Sequence, residues 1–171
     1  MNRILLILLL FTACLSACTK TTDVVAQINA QQAIDVKIIT TYLQSKNITA
    51  KVVDSSGVST GIYYTIDSLG TGNALYTSST SVTVGYTGWP LTNGALGKAF
   101  NATDNFHPSY VLGSVIRGWQ LGIEYAKIQN GGAITLYIPS RYAYGPYPQP
   151  YIGLPANAVL VFHIIIYNVT N

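Results

Sequence analysis

Cysteine stops early in this chain. Its only two copies are Cys14 and Cys18, so everything beyond residue 18 folds without disulfides and without thiol chemistry. Charge is also scarce: Lys, Arg, Asp and Glu together make up 9% of 171 residues, with a formal net charge of +3. No Lys/Arg cluster is present, which excludes the electrostatic footprint of a nucleic-acid binder. Neither His107 nor His163 has Cys, Asp or Glu beside it at ligand spacing, so no metal site is expected. There is no Gly-x-Ser-x-Gly elbow and no catalytic triad. Gly70-Thr71-Gly72-Asn73 lacks the third glycine and the following helix of a dinucleotide loop, and no cofactor is expected. What remains is a chain rich in Tyr, Thr, Ser and Asn around apolar segments.

The start of the chain has its own logic. Met1-Asn2-Arg3 is positively charged, Ile4 to Phe11 is apolar but too short to span a bilayer, and small residues follow. This layout predicts a signal peptide over 1–17. Leu15-Ser16-Ala17-Cys18 resembles the lipobox of bacterial lipoproteins, which implies a lipidated Cys18 and an exported protein anchored to the cell envelope, periplasmic or outer-membrane associated. An ordinary signal with an incidental cysteine is the alternative. Residues 18–28 read as a tether. Residues 29–48 read as a helical extension, with Ile34, Ile38 and Tyr42 recurring every four positions and Ile39 and Leu43 beside them. That stripe fits packing on its own domain or on a second copy, and a monomer is the expected state.

Residues 50–171 read as one domain. Asp54 to Ser59 is polar and small, a loop. Strands are expected over Gly61–Leu69, Ser81–Gly88, Lys98–Ala102, Ala133–Ile138 and Ala158–Val169. Asn93-Gly94 marks a hairpin turn. Gly118 to Tyr125 fits a helix of about two turns. Pro139 to Ala156 is a long Tyr/Pro/Gly loop. The pattern predicts an α+β fold with an antiparallel sheet packed on a helix.

Five blocks then carry a resemblance. They are Val84-Gly85-Tyr86-Thr87-Gly88, Gly97-Lys98-Ala99-Phe100-Asn101, Leu112 to Trp119 (LGSVIRGW), Ile138 to Gly145 (IPSRYAYG) and Leu154 to Phe162 (LPANAVLVF). In order and spacing, residues 82–169 resemble an FKBP-type peptidyl-prolyl cis-trans isomerase in its bacterial lipoprotein form. The resemblance implies an antiparallel sheet of about five strands wrapped around one short helix. It also implies a pocket in which Trp119 is the floor and Tyr86, Phe100 and Phe162 are walls. Val115 and Ile116 line the entrance, with the Ile116 backbone holding a bound peptide. Tyr144 aims its hydroxyl at the substrate carbonyl, and Ile152 and Leu154 come from the loop over the site. Tyr144, Asn101 and Trp119 are the implied catalytic set. Implied ligands are proline-containing polypeptides and tacrolimus-like macrolides.

Elementary chemistry agrees with such a pocket. A prolyl bond turns slowly because amide resonance raises a barrier of about 18–20 kcal/mol. Twisting removes resonance and lowers the charge on the carbonyl oxygen, so a dry apolar pocket disfavours the planar ground state. No nucleophile or metal is needed. The sequence departs from the family where an acid usually stands, at Asn101, and where an aromatic usually stands, at Pro108 in His107-Pro108-Ser109-Tyr110. Phe106 is a candidate substitute. These departures predict reduced isomerase activity, or alternatively an FKBP-like peptide-binding or chaperone module with little catalysis.

Overall fold

In the computed structural model the backbone is described over residues 2–171 and side chains from Asp23 onward. The signal peptide expected over 1–17 and the lipidation expected at Cys18 fall on side chains outside the described residues.

Helix α1 spans Asn2–Ser45. It therefore runs without a break through 18–28, where polar composition predicts a tether, and into the expected extension. Among the described residues, no helix is long and apolar enough to cross a membrane.

Eight strands follow: β1 Lys51–Ser55, β2 Val58–Ser68, β3 Ser81–Thr92, β4 Ala95–Leu96, β5 Asn101–Ala102, β6 Ser109–Val111, β7 Ala133–Ile138 and β8 Leu160–Thr170. Helix α2, Arg117–Ala126, lies between β6 and β7. The sheet runs β1-β2-β7-β8-β3-β4, with β5 and β6 also pairing with β3. Every named pairing is antiparallel. Five strands have five residues or more, and the other three are short.

Local chemistry sets the turns. Asn93 and Gly94 sit at φ 52° and 74°, the paired positive angles that match the twist of a two-residue hairpin. Ser56 and Gly57, at φ 55° and 77°, do the same between β1 and β2. The segment read as a polar loop over 54–59 is thus the tip of a hairpin. The strand expected over Lys98–Ala102 is only the two-residue β5, because residues 97–100 bend to bring Phe100 under the sheet.

The sheet is apolar along one whole face and at one end of the other. Along β8, Leu160, Phe162, Ile164 and Ile166 pack on α2, with Val82, Val84, Ile134, Leu136 and Ile138. The alternating residues Val159 and Val161 join Leu91 and Tyr137 on the opposite face, against Ile39, Tyr42 and Leu43 of α1. Ile39 is fully buried and Leu43 nearly so, together contributing about 3–6 kcal/mol by burial. The seam is offset from the expected stripe. Ile34 is 54% exposed, and the buried line runs through Asp35, Ile39, Tyr42 and Leu43.

Helix α2 sits unusually close to β7. A Cβ on Gly118 would meet Ile138 Cγ2 at 2.4 Å, and one on Gly122 would meet Leu136 Cδ2 at 2.5 Å. Two glycines one turn apart let the helix settle onto the sheet, which fixes the depth of Trp119.

Candidate active site

Trp119 is on the first turn of α2, where its amide donates to Ile116 O at 3.0 Å. It is 4% exposed. Three rings stand nearly perpendicular to the indole: Tyr86 at 5.0 Å between centroids, Phe162 at 5.2 Å and Tyr110 at 6.5 Å. Phe100 meets Phe162 edge-on at 5.6 Å. Edge-to-face packing places ring hydrogens on ring faces and is worth about 0.5–1.5 kcal/mol per pair beyond burial. Gly88 makes the Phe100–Phe162 approach possible, since a Cβ there would lie 2.7 Å from both rings.

These side chains enclose a cavity of about 280 Å³ lined by Tyr86, Phe100, Asn101, Tyr110, Ser114, Val115, Ile116, Trp119, Tyr144 and Phe162. Eight of the ten residues anticipated for the pocket therefore meet here. Ile152 and Leu154 do not line it. Leu154 is 3% exposed and belongs to the core. Its amide and carbonyl both bond to Gln149, and this clasp turns it inward rather than over the opening. Ile152 is half-buried against the same core.

Tyr110 and Ser114 are the residues the sequence reading missed. Tyr110 pairs with Val82 in the β3–β6 ladder, so it shares the core-facing side of that pair. It supplies the aromatic wall absent at Pro108. Phe106 cannot, being 71% exposed. Strand alternation around Tyr110 was the usable signal.

The polar groups are few. Asn101 Nδ2 donates to the Tyr86 hydroxyl at 3.0 Å. Burial, and then the hydroxyl of Tyr110 beside it, push Tyr86 well above the usual tyrosine range. Burial also raises Tyr144. Both phenols therefore keep their protons at neutral pH and remain donors. At the entrance, Gln120 Nε2 donates to Val115 O at 2.8 Å and Ser114 Oγ to Val111 O at 2.7 Å, which fixes the backbone before Ile116. The Trp119 indole N–H is buried without a partner among the described residues. No group of three or more His, Cys, Asp or Glu among the described residues could hold a metal. His163 is on the other face of β8, 3.4 Å from Asp67, and His107 stacks on Tyr167 at 3.8 Å.

A small antiparallel sheet thus packs on one short helix beneath an aromatic cavity whose lining carries no charged residue. Among solved structures, FkpA from Escherichia coli is similar at 30% identity and TM-score 0.62, covering 85% of this chain and 63% of that one. A peptidyl-prolyl cis-trans isomerase from Pseudomonas syringae matches at 25% identity and TM-score 0.62, over 81% of this chain and 96% of its own. The curated FKBP-type isomerase FkpA of a Buchnera aphidicola strain is 34% identical over 140 residues, 75% of this chain and 50% of that protein. The chain spans about half the length of the curated FkpA relatives it matches. The model of the FKBP-type peptidyl-prolyl cis-trans isomerase family matches residues 72–167, and the chain belongs to that family.

Proposed function

We propose that the chain is a peptidyl-prolyl cis-trans isomerase that assists the folding of exported polypeptides. The observation that carries this is the cavity itself: an indole floor, perpendicular aromatic walls and no charged group in its lining. A proline ring enters against Trp119. The flanking backbone lies along Val115 and Ile116, and the Ile116 N–H donates to no protein acceptor among the described residues. The Tyr144 hydroxyl orients the substrate carbonyl. A hydrogen bond to that oxygen does not favour the twisted amide over the planar one, so its effect is on binding and orientation. The dry walls act on the barrier by disfavouring the more polar planar form.

Asn101 favours a second reading. Without a carboxylate in the cavity, the protein would bind Xaa-Pro segments and shield them while turning them over slowly, as a peptide-binding or chaperone module. One assay separates the two: cis-to-trans rates of a short Xaa-Pro peptide with the purified protein, with and without tacrolimus. Acceleration that a macrolide abolishes supports the isomerase. Peptide binding without acceleration supports the module, and neither binding nor acceleration rejects both.

Export and anchoring belong to the same proposal and rest on residues 1–18. A Cys18→Ala chain should leave the membrane fraction and appear in the soluble one. Retention in the membrane rejects a lipid on Cys18. A monomer is part of the proposal, which sedimentation of the purified protein checks.

A further inference from the structure

Asp35 is the most deeply buried acid in the protein. It is 0% exposed, and no cation pairs with it among the described residues. Its carboxylate instead accepts three hydrogen bonds. Oδ1 takes one from Gln31 Nε2 at 2.7 Å. Oδ2 takes two from Ser140, from the amide at 2.8 Å and the hydroxyl at 2.6 Å. The two residues are 105 positions apart. The fit around them is close: Gln32 Nε2 donates to Thr60 O at 2.7 Å, and only a glycine at 61 leaves room for Gln32 and Val36.

Ser140 opens the 3-10 turn Ser140–Tyr142. Its carbonyl accepts from the amides of Ala143 at 2.9 Å and Gly145 at 2.8 Å. Those are the two residues flanking Tyr144. Asp35 thus holds the amide and hydroxyl of a residue whose carbonyl fixes the two neighbours of the phenol that lines the cavity.

We propose that Asp35 is a positioning residue for Tyr144, acting through Ser140, so that the amino-terminal helix is part of the pocket's geometry. The inference rests on the isomerase reading above. A carboxylate is suited to this position because one oxygen takes both donors of Ser140, while desolvation without those bonds would strongly disfavour a charge there.

The test uses the full chain and reads kcat/KM per folded molecule, below the melting temperature of each variant. Asp35→Ala should lower kcat/KM about three- to tenfold, the worth of one misplaced hydrogen bond. Asp35→Asn should stay within about twofold, because its amide oxygen still accepts from Ser140 and its amino group meets a flipped Gln31. In a Tyr144→Phe background, Asp35→Ala should add less than about a twofold loss. Two results overturn the proposal: a lowered melting temperature with unchanged kcat/KM, or an Asp35→Ala loss that multiplies in full onto Tyr144→Phe. If Asp35→Ala does not fold, Ser140→Ala, which removes only the hydroxyl bond, carries the same test with a smaller loss that also vanishes on Tyr144→Phe. If the wild-type chain shows no isomerase activity, the functional reading falls, and hydrogen exchange decides the inference alone. The amides of Ala143 and Gly145 should then exchange at least about tenfold faster in the Asp35 or Ser140 variant, and unchanged exchange overturns it.

Discussion

Replacing Asn101 by aspartate should increase activity. In the present structure the Asn101 amide donates to the Tyr86 hydroxyl oxygen at 3.0 Å, a neutral bond worth about 0.5–1.5 kcal/mol. Aspartate reverses its sense: the Tyr86 O–H, kept protonated by burial, donates to a carboxylate, a bond worth about 1.5–3 kcal/mol. Residue 101 is exposed, so solvent screening cuts the difference to about 0.5–1 kcal/mol. The Tyr86 wall, 5.0 Å from the Trp119 ring and 6.2 Å from Phe162, is then held more firmly. A negative charge at the cavity also opposes the planar amide's negative oxygen more than the twisted one's, so the gain should fall on kcat. The expected rise is about two- to fivefold in kcat/KM. An Xaa-Pro isomerisation assay near neutral pH reads it, with kcat and KM resolved and melting curves run beside it. The gain should fade as the new carboxylate protonates near pH 4, its ordinary range. An Asn101→Asp protein that melts like wild type with unchanged or lower kcat/KM would refute the reasoning.

Other expectations follow from the same geometry. Gly88→Ala should push Phe100 and Phe162 apart and cost about 1–3 kcal/mol by overpacking, seen as a lowered melting temperature together with weaker proline-peptide binding. A variant with both unchanged would mean the rings have slack that the 2.7 Å separations deny. Tyr110→Ala should weaken Xaa-Pro peptide binding about tenfold or more, as loss of an aromatic wall does, whereas Phe106→Ala should leave it unchanged; equal effects in titration calorimetry would contradict the placement of Tyr110 in the wall. At high pH, burial pushes Tyr76 up to about 12, and burial followed by the neighbouring Tyr42 and Asp67 pushes Tyr137 up to about 12. The folded state thus holds protons that the unfolded chain releases near pH 10. Their stabilisation is complete below pH 10 and declines from pH 10 to about 12. Melting temperatures that stay level across that window would show that these phenols ionise freely.

Much of this was legible in the residues, for identifiable reasons. Strand β7 falls on Ala133–Ile138, where glycines mark its start and Pro139 its end. The Asn93-Gly94 turn is legible because few residues other than Asn and Gly accept φ > 0 twice in succession. The floor and walls are legible because a motif of adjacent residues travels with its strand or helix. Leu154 and Ile152 lie outside the cavity lining for the opposite reason. Loop 139–156 takes its path from the Gln149–Leu154 clasp and from bonds to residues far off in sequence, as between Ser140 and Asp35, which no apolar periodicity announces. Asp35 was invisible because helical periodicity is counted in apolar residues, and a satisfied buried carboxylate looks like a solvent-facing one. Strand β1 and the first residues of β2 were missed because the polar Ser and Asp around a hairpin tip resemble a loop.

The two-faced sheet has a consequence for how such a chain can change over generations. Leu91, Tyr137, Val159 and Val161 sit beneath Ile39, Tyr42 and Leu43, so the helix is not an ornament that an ancestor could gain or shed in one step. A descendant that lost residues before 50 would uncover a greasy surface on the back of its sheet and would aggregate unless those four positions turned polar in the same lineage. A sequence of this kind therefore carries a readable record. Apolar residues at 159 and 161, on the side of the sheet turned away from α2, mark the patch that the amino-terminal helix covers.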